Sequence, residues 1–248
     1  MIAPIPKGPP GGSTPAAAVV PAVRRPLAAC VHLLIAVAAV TGIVVEFVQG
    51  DPARVPIYFT VQSNALVAVV CAVEARRDLT GRPQVPAPLM GATVLFIAIT
   101  GIVYHLLLAD TAADFTMAAD PSSAAWHSFA NTLLHTVTPL ATFLAWLLLT
   151  PPGGLRPRHA ALWLLYPAAY LCFALVRGAL LSPGTPARYP YPFLDVDAHG
   201  YAGVLTTALL LALAFSALAL TLVGLDRVRP DLHPRRNRIS PPGPGGLK

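Results

Sequence analysis

The sequence predicts an all-α membrane protein: a bundle of six transmembrane helices with both termini on the cytoplasmic side. Hydrophobic residues make up 55% of the 248 residues and charged residues only 11%, whereas a soluble domain carries about 25% charged residues. The apolar residues fall into long blocks, and about 20 of them suffice to cross a hydrocarbon core of about 30 Å. Lys and Arg are distributed unevenly between the two sides of the predicted bundle, which sets its orientation.

Six apolar blocks are separated by short polar or Pro/Gly-rich breaks. The segments that flank them, 1–26 and 226–248, are rich in Pro and Gly, and we expect both to be disordered. The chain is therefore interpreted as one six-helix transmembrane domain, 27–225. The predicted spans are Leu27–Val48, Ile57–Ala75, Pro88–Ala109, Trp126–Leu149, Ala160–Leu181 and Gly200–Leu225.

Basic residues mark the predicted cytoplasmic side. All but three of the 17 Lys and Arg residues lie in the two tails and in the loops after the second and fourth spans. Of the others, Arg54 and Arg188 lie on the opposite side and Arg177 lies within a span. This bias predicts a multi-pass protein of the plasma membrane with both tails in the cytoplasm. The net charge of +6 is assigned to orientation and to contact with anionic lipid, and nucleic acid is not an expected partner.

Polar side chains inside the spans gather toward the outer face. Counted from the cytoplasmic end of each helix, Thr60, His135, His105, Arg177 and Glu46 all lie about 21 to 28 Å up. Each alone would be ordinary near a helix end. However, polar groups in a membrane are costly unless they are paired or face a cavity, and here five helices place one in the same layer. We therefore expect a site that opens toward the outer leaflet.

Thr60 and His135 are the candidate catalytic residues of this site. A threonine hydroxyl is a weak nucleophile until a base takes its proton, and a neutral imidazole is the usual base near neutral pH. The two residues lie at matching depths, so they can form a hydrogen bond if the second and fourth spans are neighbours. The pair indicates a hydrolase of lipid-like esters, because the site would open where lipid esters lie.

Three further residues are candidates for substrate binding. Arg177 can bind a carboxylate or phosphate with two parallel hydrogen bonds, and the amides of Asn64 and Asn131 can donate to a developing oxyanion. Pro139 leaves the carbonyl of His135 without its helical partner, which predicts a kink beside the imidazole. Membrane lipids are the expected partners, with a lipid ester as substrate and with neither a metal ion nor a cofactor.

Three stretches of the sequence resemble a bacterial family. YFTVQSN (58–64), NTLLHTVTPL (131–140) and the run VRG…YPYPFLDVDAHGY (176–178 and 189–201) are similar to the Pr-six-Pr family of six-span membrane proteins, over roughly 27–225. The aromatic and proline residues of YPYPFLDV suit a cap at the membrane interface.

A second, more distant similarity connects the FT stretch and the HT-x-x-P stretch to the androgen-induced family, which includes androgen-dependent TFPI-regulating protein. Members of that family are threonine hydrolases that cleave fatty-acid esters of hydroxy fatty acids. The resemblance implies that Thr60 is the nucleophile and that His135 is the essential histidine.

Two other functions remain open for the same residues. Histidines can ligate haem between helices, and four of them lie near the outer side: His105, His127, His135 and His199. No pair of them recurs at matched depth. Alternatively, a transporter or lipid-binding protein would use Arg177 and Glu46 to bind its substrate, although the sequence lacks the inverted repeats of many transporters.

Overall fold

Six long helices form the part of the chain that the structure describes. The structure is a computed structural model, and it describes residues 23–109 and 124–231. The regular secondary structure of these residues is helical, which confirms the all-α prediction. The helices are α1 (Pro26–Gln49), α2 (Phe59–Thr80), α3 (Ala87–Leu108), α4 (Ala124–Leu149), α5 (Pro157–Leu180) and α6 (Val196–Val228).

Five of these helices are long and apolar enough to cross a membrane: α1, α3, α4, α5 and α6. The protein is therefore a multi-pass integral membrane protein, as its composition predicts. Helix α2 has 22 residues but is not among the five, and it carries Glu74, Arg76, Arg77 and Asp78 near its end. The predicted span Ile57–Ala75 also begins differently, because Val55–Ile57 form a separate 3-10 turn before α2 starts at Phe59.

Helix α2 lies at the centre of the bundle. It packs against α1 and also contacts α3 and α4. More than half of its residues are buried, including the polar Ser63, Asn64, Glu74 and Asp78. A helix that its neighbours shield from lipid does not need an apolar outer surface, so its position explains why α2 is the least apolar of the six.

Successive helices run in alternating directions, so the bundle has two distinct ends. At the basic end, where Arg25 and Arg229 lie, Arg25 at the start of α1 pairs with Asp78 at the end of α2. Arg229 donates to the carbonyls of Trp146 at 2.6 Å and Thr150 at 2.8 Å, which fastens α6 to α4. The site end is the opposite one, where α2 begins.

The ordered chain extends beyond the predicted transmembrane domain on both sides. Helix α6 continues to Val228, and both Asp226 and Arg229, which were expected in a disordered tail, are buried. Arg25, expected in the N-terminal disordered segment, forms the ion pair with Asp78. These contacts join residues that are far apart in sequence, so no local pattern reveals them. The rest of the two predicted disordered segments, 1–22 and 232–248, lies outside the described residues.

Two helices contain a π-helical turn near the site end. One is Tyr104–Leu108 at the end of α3, and the other is Leu133–Val137 in α4, just before Pro139. Within α4 the N–H of Thr138 donates to the carbonyl of Leu133, five residues earlier. Pro139 has no N–H for the carbonyl of His135, and this carbonyl faces Gly101 of α3, where a Cβ atom would lie 3.1 Å from it. The irregularity expected beside His135 is therefore a π-helical turn.

Candidate active site

Thr60 and His135 are in direct contact at the site end. Thr60 Oγ1 lies 3.1 Å from His135 Nε2, and the two residues are only 4% and 6% exposed. Thr60 is the second residue of α2, and His135 is the central residue of the π-helical turn of α4. The second and fourth helices are thus neighbours here, which is the condition under which this hydrogen bond was expected.

His135 is held in one tautomer. Its Nδ1 lies 3.1 Å from the backbone carbonyl of Asn131, and because a carbonyl oxygen only accepts, Nδ1 carries the hydrogen. Nε2 therefore presents a lone pair, and the hydroxyl of Thr60 donates to it. The ring of Tyr104 stacks on the imidazole with 4.2 Å between ring centroids and 27° between planes. The imidazole is thus oriented as a base toward Thr60.

Tyr191, in the loop between α5 and α6, completes the group. Its hydroxyl oxygen accepts a hydrogen bond from the N–H of Thr60 at 3.3 Å and lies 3.4 Å from Thr60 Oγ1. Burial raises the pKa of Tyr191 to about 12, so the phenol keeps its proton at neutral pH and can donate. Sequence reasoning missed this role, although the YPYPFLDV run that contains Tyr191 was singled out there as a cap.

The start of α2 adds a favourable field for negative charge. The first N–H groups of a helix have no partner within the helix, and together they carry a partial positive charge. Thr60 lies in this first turn, and its own N–H points to the Tyr191 hydroxyl. An oxyanion formed next to Thr60 Oγ1 would therefore meet donors from both Thr60 and Tyr191.

An apolar cavity of about 280 Å³ adjoins the pair. Thr60, His135 and Tyr191 belong to its wall, and most of the remaining wall is formed by aliphatic and aromatic side chains of α3, α5, α6 and the loop before α6. Tyr170 also lines it, but the Tyr170 hydroxyl donates to the carbonyl of Ile57 at 2.9 Å. The cavity thus combines one reactive polar patch with a hydrocarbon surface.

Asn64 joins α2 to α4 by hydrogen bonds and does not line the cavity. Its Nδ2 donates to the carbonyls of Thr60 at 2.9 Å and Leu134 at 3.1 Å, and its Oδ1 accepts from Thr138 Oγ1 at 2.5 Å. Both amide hydrogens are therefore used within the protein, and the expected donation to an oxyanion stays a prediction. Asn64 ties the first turn of α2 to the π-helical turn of α4 and so holds Thr60 beside His135.

Arg177 and Asn131 also lie outside the cavity wall. Arg177 donates to the carbonyls of Ala187 at 2.7 Å and Arg188 at 2.8 Å, so its guanidinium holds the loop that leads to Tyr191. Asn131 donates from its amide to the hydroxyl of Tyr104, while its carbonyl orients His135. Both residues contact other parts of the protein, and their expected role as substrate ligands stays a prediction.

The other polar residues of the predicted layer form separate groups. Glu46 of α1 faces His127 of α4 at 3.4 Å, and His105 Nε2 lies 3.0 Å from Thr136 Oγ1 at the surface. Three of the four histidines considered for haem, His105, His127 and His135, therefore have different surroundings. Among the described residues, no group of three or more His, Cys, Asp or Glu side chains is arranged to hold a metal ion.

Comparisons with known proteins find no relative of this chain. No protein-family model, no curated protein and no solved structure matches the chain. The resemblance of 58–64, 131–140, 176–178 and 189–201 to a six-span family therefore stays a prediction.

Proposed function

We propose that this protein is an intramembrane hydrolase of lipid-like esters, with Thr60 as the nucleophile and His135 as the general base. The proposal is carried by the buried 3.1 Å contact between Thr60 Oγ1 and His135 Nε2 beside an apolar cavity. A hydroxyl that donates to the bare nitrogen of an oriented imidazole is the arrangement used for nucleophilic acyl transfer.

The reaction proceeds in two steps. In the first, Thr60 Oγ1 attacks the ester carbonyl carbon while His135 Nε2 takes the hydroxyl proton. The bond from this carbon to the alcohol oxygen then breaks, His135 returns the proton to that oxygen, and the acyl group stays on Thr60. In the second, His135 takes a proton from water as the water attacks the acyl carbon. The carboxylic acid leaves, and Thr60 regains its hydrogen.

Each step passes through an intermediate with negative charge on the former carbonyl oxygen. Two donors are available beside Thr60 Oγ1: the hydroxyl of Tyr191, which lies 3.4 Å from it, and the N–H of Thr60, which donates to that hydroxyl. A bound carbonyl oxygen takes the place of the Tyr191 oxygen as acceptor for Thr60 and accepts from Tyr191 as well. Stabilisation of this kind is usually the largest single contribution to acyl-transfer catalysis.

The experiment that tests this function is labelling of the purified protein with a fluorophosphonate probe. We expect the wild type to be labelled, Thr60→Ala and His135→Ala to lose the label, and Thr60→Ser to keep it because it retains a hydroxyl. Thermal unfolding of each variant controls for folding. An unlabelled wild type, or alanine variants that label as well as wild type, would show that the pair is not a reactive nucleophile and base.

The alternative is a non-enzymatic transporter or lipid-binding protein. The apolar cavity is as consistent with lipid binding as with hydrolysis. Arg177, which was expected to bind the transported or bound molecule, donates to a loop carbonyl. Lipid binding that persists in Thr60→Ala and His135→Ala, together with a wild type that the probe does not label, would favour this alternative.

The proposed topology is six spans, with α2 crossing the membrane beside the other five helices and both termini in the cytoplasm of a plasma-membrane protein. The orientation rule requires that cytoplasmic loops carry the basic residues. Accordingly, Arg76, Arg77 and Arg82 lie at the same end of the bundle as Arg156 and Arg158. Alternating helix directions support the same arrangement.

Cysteine labelling across α2 tests this topology. Ala53→Cys and Arg82→Cys are introduced separately after the native Cys30, Cys71 and Cys172 are replaced by serine. With a membrane-impermeant maleimide, we expect Ala53→Cys to react in intact cells and Arg82→Cys only after permeabilisation. Reaction of both from the same side would mean that α2 does not cross.

A further inference from the structure

The cavity extends from the Thr60–His135 pair toward the middle of the bundle. Counted from the basic end, Thr60 lies about 30 Å above Thr80, whereas Ser216 of the cavity wall lies about 18 Å above Val228. The cavity residues of α6 run from Ala208 to Ser216, which is about 12 Å of helix. The cavity thus descends about 12 Å below the nucleophile.

The lower part of this cavity offers a ligand only hydrocarbon. Its wall includes Leu164 and Leu171 of α5 and Leu211 and Phe215 of α6. Ser216 and Thr100 are polar, but each hydroxyl donates to a carbonyl of its own helix, Ala212 at 2.6 Å and Phe96 at 3.1 Å. A polar group placed here would lose its hydrogen bonds to water without replacement, so the lower cavity fits an alkyl chain.

One side of the cavity opens to the outside between α5 and α6. Helix α6 packs against the first segment of α5, Pro157–Trp163, and against α3, whereas the segment Leu165–Leu180 has few close contacts with it. Ala168 and Ala212 belong to the cavity wall and are nevertheless exposed. In a membrane this opening faces the lipid tails, because exposed leucines of α6 lie beside it: Leu205, Leu209 and Leu213.

We propose that this cavity is a side-entry slot for the acyl chain of the ester, which slides in from the bilayer between α5 and α6. The inference rests on the proposed hydrolase function. The acyl chain occupies the slot because the water that releases it must approach from where the alcohol departed. The apolar slot leads toward the bilayer interior, where water is absent, so alcohol and water are on the side of the site end. The substrate class is an ester with a long acyl chain.

Acyl-chain length selectivity tests the slot. Ala212→Trp fills it below the nucleophile, and Ala214→Trp, on an exposed position of α6 outside the cavity wall, is the matched control. With p-nitrophenyl esters, we expect Ala212→Trp to lower the ratio of kcat/KM for the palmitate to kcat/KM for the butyrate about tenfold or more. The control should change neither value. Palmitate hydrolysis at the wild-type rate by Ala212→Trp would overturn the slot. The slot would also be overturned if Ala212→Trp lowered kcat/KM for butyrate esters of long alcohols instead of kcat/KM for the palmitate.

A binding measurement separates failure of the slot from failure of the hydrolase. Full-length Thr60→Ala protein is irradiated with a palmitic acid that carries a diazirine in the half of the chain next to the carboxyl group, and the adducts are mapped by mass spectrometry. We expect adducts on α5 near Ala168 and on α6 near Ala212, and we expect Ala212→Trp but not Ala214→Trp to remove them. Adducts spread evenly over the lipid-facing helices and unaffected by Ala212→Trp would overturn the slot. Adducts in the slot without fluorophosphonate labelling would support it as a binding site and remove the hydrolase.

Discussion

The backbone carbonyl of Asn131 accepts the Nδ1–H of His135 at 3.1 Å, one helical turn away in the same helix. In a Ser–His–Asp triad a carboxylate takes this place, orienting the imidazole and stabilising its positive form. A carbonyl orients the ring and sets its tautomer but brings no full charge. In the proposed hydrolase, stabilisation of the transition state must therefore come mainly from dipoles near Thr60, namely the Tyr191 hydroxyl and the start of α2.

The Tyr191 hydroxyl is accordingly expected to contribute to turnover. Loss of one oxyanion donor typically costs about 100- to 1000-fold in kcat, and we expect Tyr191→Phe to lower kcat for ester hydrolysis in that range with little change in KM. Steady-state kinetics on a p-nitrophenyl ester measure both. Tyr189→Phe, in the same loop and with its ring packed on Gly178, is the control and should stay near wild type. A Tyr191→Phe enzyme with wild-type kcat would remove the hydroxyl from the mechanism.

The same hydroxyl predicts a pH dependence of stability. Burial raises the pKa of Tyr191 to about 12, above the ordinary value of about 10. The folded protein therefore holds the phenol proton more tightly than the unfolded chain does. The contribution of the Tyr191 hydroxyl to the free energy of unfolding is complete below about pH 10 and is lost as the pH rises through about 12. We expect the Tm difference between wild type and Tyr191→Phe to be constant from pH 7 to about 9.5 and to shrink above pH 10. A difference that does not change up to about pH 11.5 would contradict the assignment.

Two threonines one turn apart in α4 provide a matched pair of variants that tests the hydrogen bond between Thr138 and Asn64. Thr138 is fully buried and donates to Asn64, whereas the hydroxyl of Thr142 is buried without a hydrogen-bond partner. We expect Thr138→Val to lower the free energy of unfolding by about 1 kcal/mol, a typical value for such bonds between membrane helices. Thr142→Val should be neutral or stabilising, because it removes an unsatisfied polar group. Reversible unfolding in mixed micelles measures both, and equal losses would mean that the bond to Asn64 does not matter.

The contacts of Arg229 with Asp226 and Trp146 at the basic end predict a larger effect on the free energy of unfolding. Arg229 is buried against Asp226 and stacks 4.5 Å over the ring of Trp146. Arg229→Ala leaves Asp226 without its partner, and breaking a buried ion pair costs about 3–5 kcal/mol. Arg227→Ala, at an exposed position two residues away, should cost almost nothing. If thermal unfolding gave similar Tm values for the two variants, α6 would not depend on these contacts for its attachment.

The positions of the helices and of the Thr60–His135 contact could be predicted because each leaves a local trace in the sequence. Apolar blocks of membrane length mark five of the six helices directly. Depth along each helix, counted at about 1.5 Å per residue, was enough to place Thr60 and His135 at one level. Both inferences depend on the regularity of helices and on the thickness of a membrane.

The partners of the remaining polar residues could not be predicted in this way. Arg177 and Asn64 were expected to bind substrate because a polar group in a membrane must be satisfied. A backbone carbonyl satisfies it as well as a ligand does, and which carbonyls are left free depends on the π-helical turn and on the path of a loop. Tyr191 reaches Thr60 from 131 residues away in sequence, so only the folded loop reveals its role.

The central position of α2 has a consequence for how the protein is made. With Glu74, Arg76, Arg77 and Asp78 near its end, this helix is a poor candidate for entering lipid alone, since charged residues oppose insertion. Helix α1 is already synthesised when α2 emerges, and its Arg25 neutralises Asp78, so the two are suited to enter the bilayer together as a hairpin. In the proposed six-span topology, Thr60 then reaches its depth before His135 has been translated. Under the proposed hydrolase function, Thr60 consequently acquires its base only when α4 arrives, and the partly assembled chain carries no active pair.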